Sequence, residues 1–381
     1  MDHLINSSFR VGVLGGGQLG RMLALKASEW NLGIACLDSD PDAPARRACE
    51  VEQGDYTSYD DVVNFGSQFD LVTVETERAN VDGLKELESR GIRVAPRSMA
   101  LRVVQDKGLQ RQRCVELGLP VPRFQTVAGP ADLLAASGAW RFPYIVKTRT
   151  AGYDGKGVFR ITGPEDVDGL PDLPLLIEEE VAIARELSII GVRNRSGDTS
   201  IYAAAEVHVV PGAFLADYLM APVNLPPALH DEAKDIVLRL MDGLDIEGLL
   251  AVELFLDTDG RPWVNECSPR PHNTGHHTIE AALTSQYENH LRGILDLPLG
   301  SCESTHCAAM LNLLGAPDAE GPVRYRGLEA CLETPGVFVH LYGKTEVRPH
   351  RKMGHVTLLG DSPEDLRVLI FRLKPQLAAV S

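Results

Sequence analysis

Two acids, Glu253 and Glu266, each interrupt an apolar run, Ala251–Leu256 and Pro262–Cys267, with Asp257, Thr258, Asp259 and Gly260 between them. The pattern predicts a β-hairpin over Leu249–Leu256 and Arg261–Glu266 with those four residues as its turn. An unpaired carboxylate is costly to bury in such strands, and a divalent cation removes the cost. Magnesium, or manganese in its place, suits the pair, because it is a hard ion commonly held by one or two carboxylates plus nucleotide phosphates. A ribbon with both acids in water is the plainer alternative. Asn265 stands beside the second acid, and the chain then runs on through Ser268, Pro269, Arg270, Pro271, His272, Asn273, Thr274, Gly275 and His276. Two prolines stiffen this segment, so Arg270, His272 and Asn273 are expected at fixed directions beside the metal, as a reaction centre requires. A structural loop with a satisfied histidine competes with that reading.

Three other groupings suit phosphate or nucleotide. Lys147 ends a strand-like run and is followed by Gly152, Tyr153, Asp154, Gly155, Lys156, Gly157 and Val158. Loop amides there can close over phosphate oxygens while Lys147 supplies a point charge. A hairpin turn is the simple alternative, and no GxxxxGK[ST] motif is present. Gly15, Gly17 and Gly20 in GGGQLG allow a sharp turn into a helix N-terminus, with Asp38 about where a dinucleotide enzyme binds ribose, although nothing downstream supplies the rest of a dehydrogenase. Lys344, Arg348, His350, Arg351, Lys352 and His355 form a local basic segment, either a phosphate pocket or a solvated charge run. Glu178, Glu179 and Glu180 close another strand, and their carboxylates could accept from an amine and a ribose or simply face water.

These residues need a scaffold. Val11–Leu14, Gly33–Leu37, Leu71–Val74 and Ile92–Ala95 read as brief strands alternating with helical stretches, which predicts an α/β domain with a parallel sheet over roughly the first hundred residues. A helical pair is expected from Ser98 to Gly118, then strands Tyr144–Thr148, Val158–Ile161, Leu175–Glu180 and Glu186–Val192, and a helix from Pro227 to Gly243. From about Cys307 a small β-rich module with a final helix near Pro363–Leu373 is expected. The net charge of −16 in 381 residues argues against nucleic acid or anionic membrane as partners, so an anionic substrate must meet a local cation cluster. Seven cysteines without a CxxC pair, and no signal-like or membrane-spanning apolar run, lead to a cytoplasmic expectation.

Taken in order, GGGQLGRM (15–22), GYDGKG (152–157), NECSPRPHNTGH (265–276), HLYGK (340–344) and RPHRKMGH (348–355) resemble the ATP-grasp superfamily and, within it, the N5-carboxyaminoimidazole ribonucleotide synthetases of purine biosynthesis. The resemblance covers nearly the whole chain. It implies a three-domain fold: an N-terminal Rossmann-like substrate domain at 1–103, a small ATP-grasp domain at 104–181, and a large one at 182–381 that includes the module from about 307. It implies ATP contacts at Lys107, Lys147, Gly152 to Val158, Glu178 to Val181, Glu186, His208, Asn265 and Glu266. Glu253 and Glu266 would bind the metal. Aminoimidazole ribonucleotide contacts would fall at Gln18, Leu19, Glu75, Tyr153, Asn273, Lys344, Arg351 and Lys352. Arg270 is the candidate for bicarbonate, His272 for orienting or accepting the amine proton, and a homodimer is expected. Lys107 stands where the family usually has arginine, and Thr274 where serine is expected; the stretch from Ala203 to Val223 matches least. Formate-dependent glycinamide ribonucleotide transformylases share the fold and an SPRPH loop but carry aspartate in place of Asn273. A non-catalytic nucleotide-binding module is a third reading.

Overall fold

The computed structural model describes residues 8–150, 152, 157–210 and 215–381. Near the N-terminus, short apolar runs become five parallel strands: β1 (Arg10–Leu14), β2 (Gly33–Asp38), β3 (Glu50–Gln53), β4 (Leu71–Val74) and β5 (Arg93–Val94), in the order β3-β2-β1-β4-β5. The central strands are covered on both faces, which is why β1 and β4 read as unbroken apolar runs. The sequence signal missed β3, because in Glu-Val-Glu-Gln only Val51 is buried. Strand order changes direction around β1, so the ends of β1 and β4, at Gly15 and Glu75, open the crevice where such sheets hold ligands.

The expected helical pair is broken at Asp106 into Ser98–Gln105 and Lys107–Glu116. Asp106 caps the second helix, its carboxylate accepting from the amides of Gly108 (2.8 Å) and Leu109 (3.3 Å). Arg149 grips the same carboxylate through two nitrogens, at 3.0 and 2.6 Å. The cap fixes Lys107 as the first residue of its helix. An antiparallel sheet follows, with β6 (Phe124–Val127), β7 (Tyr144–Thr148), β8 (Val158–Ile161) and β9 (Leu175–Glu179) in the order β6-β9-β7-β8.

A nine-stranded sheet dominates the rest, beside two short two-stranded ribbons. It contains β10 (Ile183–Arg193), β11 (Thr199–Ile201), β12 (Ala205–Val209), β13 (Ala216–Ala221), β14 (Gly248–Asp257), β15 (Pro262–Ser268) and β16 (Cys307–Leu314), in the order β15-β14-β10-β12-β13-β16, with β11 beside β10. It then continues through Lys352–Gly360 to Val337–Leu341. The C-terminal module therefore extends the large sheet: β16 pairs with β13, Tyr218 opposite Leu311, which removes an open edge. This continuity brings Lys352, the first residue of its strand, to the cleft that the β14–β15 hairpin lines. The helix Pro227–Gly243 packs on β10, where a Cβ on Gly191 would lie 2.7 Å from Met241 Sδ, so only glycine permits the close approach.

Candidate active site

The hairpin forms as expected. Asp257 Oδ1 accepts from the amides of Asp259 and Arg261 (2.9 Å each), and Gly260 takes φ +79°. Glu253 faces Glu266 directly across the two strands, and the register slips by one residue between Glu253 and Leu254. Asn265 is the extra residue of that β-bulge. A bulge sets two consecutive side chains toward one side, which is how Asn265 and Glu266, neighbours in a strand, both line the cleft.

Around the hairpin lies a cleft of about 810 Å³. Gln18, Leu19, Glu75, Lys107, Lys147, Gly152, Val158, Glu178, Glu179, Glu180, Val181, Glu186, Glu253, Asn265, Glu266, Arg270, His272, Asn273 and Lys352 all line it. Tyr153, Asp154, Gly155 and Lys156 lie outside the described residues. Gly157, at the edge of that stretch, has φ +80°, and its carbonyl accepts from the Thr148 amide (2.8 Å). A Cβ there would come within 2.4 Å of Thr148 Oγ1, so glycine is required.

The charges at the floor are arranged in two groups. Lys107 Nζ bonds Glu266 Oε2 at 2.5 Å, and this lysine is the main reason that the Glu266 carboxyl is held down at about 2. Glu253 shifts the other way, although Lys352 and Lys107 pull against the rise. Burial, then Glu266 and Glu186, push its carboxyl up to about 8. In the second group Glu178 is buried between Arg111, whose Nε it bonds, and Lys147 (2.7 Å). Burial would raise the Glu178 carboxyl, but Arg111 and Lys147 overcome it and hold it at about 2. Two cations share this one carboxylate. Lys147 is accordingly lowered, by burial first and despite Glu178, and its remaining contact is Asn265 Oδ1 at 3.1 Å. That surplus of positive charge faces the cleft, which suits an arriving anion.

Glu178 was expected to meet a nucleotide; it lines the cleft, and its carboxylate is engaged by Arg111 and Lys147, so that it also positions Lys147. We expect Glu178→Gln to cost roughly 3–5 kcal/mol of stability by leaving two buried cations without a counter-charge, readable as a lowered urea midpoint. Glu180 pairs with Arg160 at 2.6 Å at the cleft rim. Glu186 lines the cleft with its carboxyl raised by burial. His208 departs from expectation. Its neighbours Val207 and Val209 line the cleft, whereas His208 stacks on Tyr218 (centroids 4.4 Å apart), on the other face of β12.

The loop after β15 is held from several sides. Arg270 pairs with Glu77 at 2.7 Å and donates to its own neighbour's carbonyl, Pro271 O, at 2.9 Å. Gln286 accepts from the His272 amide (2.8 Å) and donates to the His272 carbonyl (2.7 Å), clamping that residue's backbone. Burial, helped by Arg270, lowers the His272 imidazole to about 3, so it is neutral. Asn273 and Asn312 exchange amide hydrogen bonds at 2.9 and 3.2 Å, tying the loop to β16. Sequence reasoning missed Arg111, Glu77, Gln286 and Asn312. Only Arg111 left a signal, four residues after Lys107 on one helical face.

The N-terminal glycine loop does not offer its amides to a dinucleotide. Gly17 and Gly20 both donate to the Glu75 carboxylate (2.5 Å each), and Gly16 donates to Asp38 (2.7 Å). Two acids from within the domain fill the place where a pyrophosphate would sit. Gln18 and Leu19 are thereby turned to the cleft. Opposite them, Arg21 donates to Leu341 O (2.8 Å) and joins this domain to the C-terminal strands. Lys344 and Arg351 lie in the turn beside Lys352 and do not line the cleft in this structure. Lys344 donates to Lys352 O (2.7 Å) and Arg351 to Glu346 O (2.6 Å).

Three family models match in succession: a ribonucleotide synthetase preATP-grasp domain at residues 9–105, an ATP-grasp domain at 112–287, and a phosphoribosylaminoimidazole carboxylase C-terminal domain at 308–368. The N5-carboxyaminoimidazole ribonucleotide synthase of Pseudomonas aeruginosa is 38% identical over 353 residues, which cover 92% of this chain and 94% of that one. The phosphoribosylaminoimidazole carboxylase of Schizosaccharomyces pombe is 34% identical over 369 residues, but the match covers 93% of this chain and only 66% of that protein, so the chain spans just under two thirds of its length. A crystal structure of the Aspergillus clavatus N5-carboxyaminoimidazole synthase with ADP and 5-aminoimidazole ribonucleotide superposes with a TM-score of 0.87 at 30% identity, covering 97% of this chain and 98% of that one. With the paired acids, the lysines and the proline-stiffened loop gathered at one cleft, and with relatives aligned along nearly its whole length, the chain belongs to the N5-carboxyaminoimidazole ribonucleotide synthase family of ATP-grasp ligases.

Proposed function

We propose that this protein uses ATP and bicarbonate to carboxylate the exocyclic amine of 5-aminoimidazole ribonucleotide, giving N5-carboxyaminoimidazole ribonucleotide in purine synthesis. One observation carries the reading: β15 delivers Glu266 to the hairpin and then Arg270, His272 and Asn273 to the same cleft without a break. The Aspergillus clavatus relative, crystallised with ADP and the aminoimidazole substrate, supports the choice of ligands.

A divalent cation, magnesium or manganese, fits the hairpin. Glu253 and Glu266 face each other with all-oxygen donors, and burial, then repulsion from Glu266, raises Glu253, a conflict a cation relieves. Among the described residues no group of three or more His, Cys, Asp or Glu side chains could hold a metal, so nucleotide phosphates would complete the coordination. When bound, the cation would neutralise phosphate charge. Lys147 and Lys107, which line the same cleft, would meet the same phosphates, and Glu186 would accept from the ribose hydroxyls. Glu179 to Val181 form the edge against which the base would lie.

Bicarbonate attacks the γ-phosphorus of ATP and releases ADP; the resulting carboxyphosphate passes its carbon to the amine, the C–O bond to phosphate breaks as the N–C bond forms, and the released phosphate takes the amine proton. Arg270, fixed by Glu77, is set to hold the carboxyl oxygens through this transfer. Gln18, Leu19, Glu75, Asn273 and Lys352 would receive the ribonucleotide, with Lys344 and Arg351 reaching its phosphate from the neighbouring turn. Asn273 also separates this reading from formyl transfer to glycinamide ribonucleotide. An aspartate there would leave the amide group of Asn312 half unpaired, whereas the neutral pair suits a neutral aminoimidazole. A homodimer and a cytoplasmic location belong to the same proposal. No helix among the described residues is long and apolar enough to cross a membrane.

The test is ADP release. We expect it with bicarbonate and aminoimidazole ribonucleotide, and not with formate and glycinamide ribonucleotide. ADP released only with the second pair would overturn the assignment.

A further inference from the structure

We propose that Ser188 and Thr274 form a hydroxyl relay that fixes His272 as its Nε2–H tautomer, making His272 a hydrogen-bond donor to the reacting carboxyl oxygens and not the acceptor of the amine proton. Ser188 sits on β10 directly opposite Glu253, beneath the loop that carries His272. Its Oγ lies 2.6 Å from Thr274 Oγ1, which lies 2.8 Å from His272 Nδ1. On the other side of the ring, Nε2 is 3.7 Å from Glu253 Oε1.

Counting protons along this line decides its direction. If Ser188 donates to Thr274 and Thr274 donates to Nδ1, every hydroxyl proton has an acceptor. Nε2 then carries the hydrogen, on the side of the ring that faces the cleft and Glu253. The reverse arrangement would place the proton on Nδ1 and send Thr274's proton to Ser188. The Ser188 proton would then have no acceptor among the described residues, at a side chain only 2% exposed.

The ring cannot readily turn to escape this choice. Gln286 holds the His272 amide and carbonyl, and a Cβ on Gly275 would strike Gln286 Oε1 at 2.5 Å, so the loop lies tight against it. Thr274 and Ser188 are positioning residues; His272 is the group that would touch substrate. The role of His272 rests on the carboxylation reading above, whereas the tautomer itself does not. The relay also accounts for a hydroxyl residue at 274, where serine and threonine serve equally.

Long-range imidazole ¹H–¹⁵N correlation spectra of histidine-labelled protein near neutral pH report which nitrogen bears the proton. The His272 signals, among those of 11 histidines, are assigned by their loss in His272→Gln. We expect the Nε2–H pattern in the native protein and in Thr274→Ser. Thr274→Val should lose the single pattern, and kcat for ADP release should fall about 10²-fold with KM for ATP unchanged. Ser188→Ala, which leaves Thr274 in place, should fall by about 10-fold and show a mixture of tautomers. An Nδ1–H pattern in the native protein would overturn the relay, as would Thr274→Val keeping both the Nε2–H pattern and normal turnover. Should ADP release follow formate instead of bicarbonate, the spectra would still decide the tautomer, so the two failures are distinguishable.

Discussion

Glu253→Gln and Glu266→Gln are each expected to lower ADP release by about 10²–10³-fold, yet to move the stability of the nucleotide-free protein in opposite directions. Glu253 is raised to about 8 by burial and by its neighbours Glu266 and Glu186, which outweigh Lys352 and Lys107. A glutamine is neutral there without taking up a proton, and we expect a gain on the order of 1 kcal/mol, reduced by the openness of the cleft. Glu266 is the partner of Lys107, at 2.5 Å, and its loss leaves that lysine among cations. A cost of about 1–3 kcal/mol follows. Thermal melts with and without magnesium-ATP check both halves. The ligand should stabilise the native protein strongly and each variant weakly. Equal ligand stabilisation of all three proteins would sink the metal assignment.

The second large effect is acid unfolding above the usual carboxylate range. His276, His277, His290 and His355 are almost fully buried, and burial lowers each imidazole, to about 4 for His277 and about 3 for His290, and well below the usual value for His276 and His355. His276 and His355 stack at 4.5 Å, and each meets a tyrosine hydroxyl, of Tyr287 (2.9 Å) and Tyr342 (3.0 Å) respectively. His340 covers His355 at 4.4 Å and reaches Glu280 at 2.7 Å. His290 bridges Thr73 of β4 (3.1 Å) and the Leu249 amide (3.2 Å), so it joins the N-terminal sheet to the large one.

A histidine with a depressed folded pKa contributes stability that is fully present above its unfolded pKa, near 6.5, and lost as pH falls. Four such groups give a slope of up to about 5 kcal/mol per pH unit, against a total stability on the order of 5–15 kcal/mol. Glu253 opposes the loss, since its raised carboxyl takes up a proton in the folded state between about 8 and the unfolded value. Glu178 and Glu266, both held low, add to the loss only at more acidic pH. We expect cooperative loss of circular dichroism between about pH 6 and pH 4.5, with net proton uptake. A protein that keeps its fold down to about pH 3.5 would refute this account of the buried histidines.

How much of this was legible beforehand differs from residue to residue. The hairpin, its turn and both acids were readable, because alternation with an Asp-Thr-Asp-Gly turn is a local pattern and the chain obeys it locally. The parallel sheet was readable except for β3, whose single buried residue, Val51, leaves no periodic signal. Lys147 was readable at the end of its strand. That Glu178 is its counter-charge was not, since the two come from neighbouring strands of a sheet whose register no local rule announces. His208 shows the opposite difficulty: it lies in a strand that lines the cleft, and only pairing decides which face it takes. The glycine loop read equally well as a nucleotide site until Glu75, 55 residues beyond Gly20, proved to occupy its amides.

By itself the sequence determined the chemistry available: a carboxylate hairpin, lysines, and a proline-stiffened Arg-His-Asn loop in one unbroken stretch. Backbone propensity and side-chain type act over a few residues, so such features survive being read in a line. Tertiary structure decided which charges are neutralised and which are left for a ligand. Arg270 is held by Glu77, 193 residues away, while Lys147 must share Glu178 with Arg111 and Glu253 is raised by burial beside Glu266 and Glu186. Burial and partner distance set those outcomes, and both are properties of the packed molecule alone.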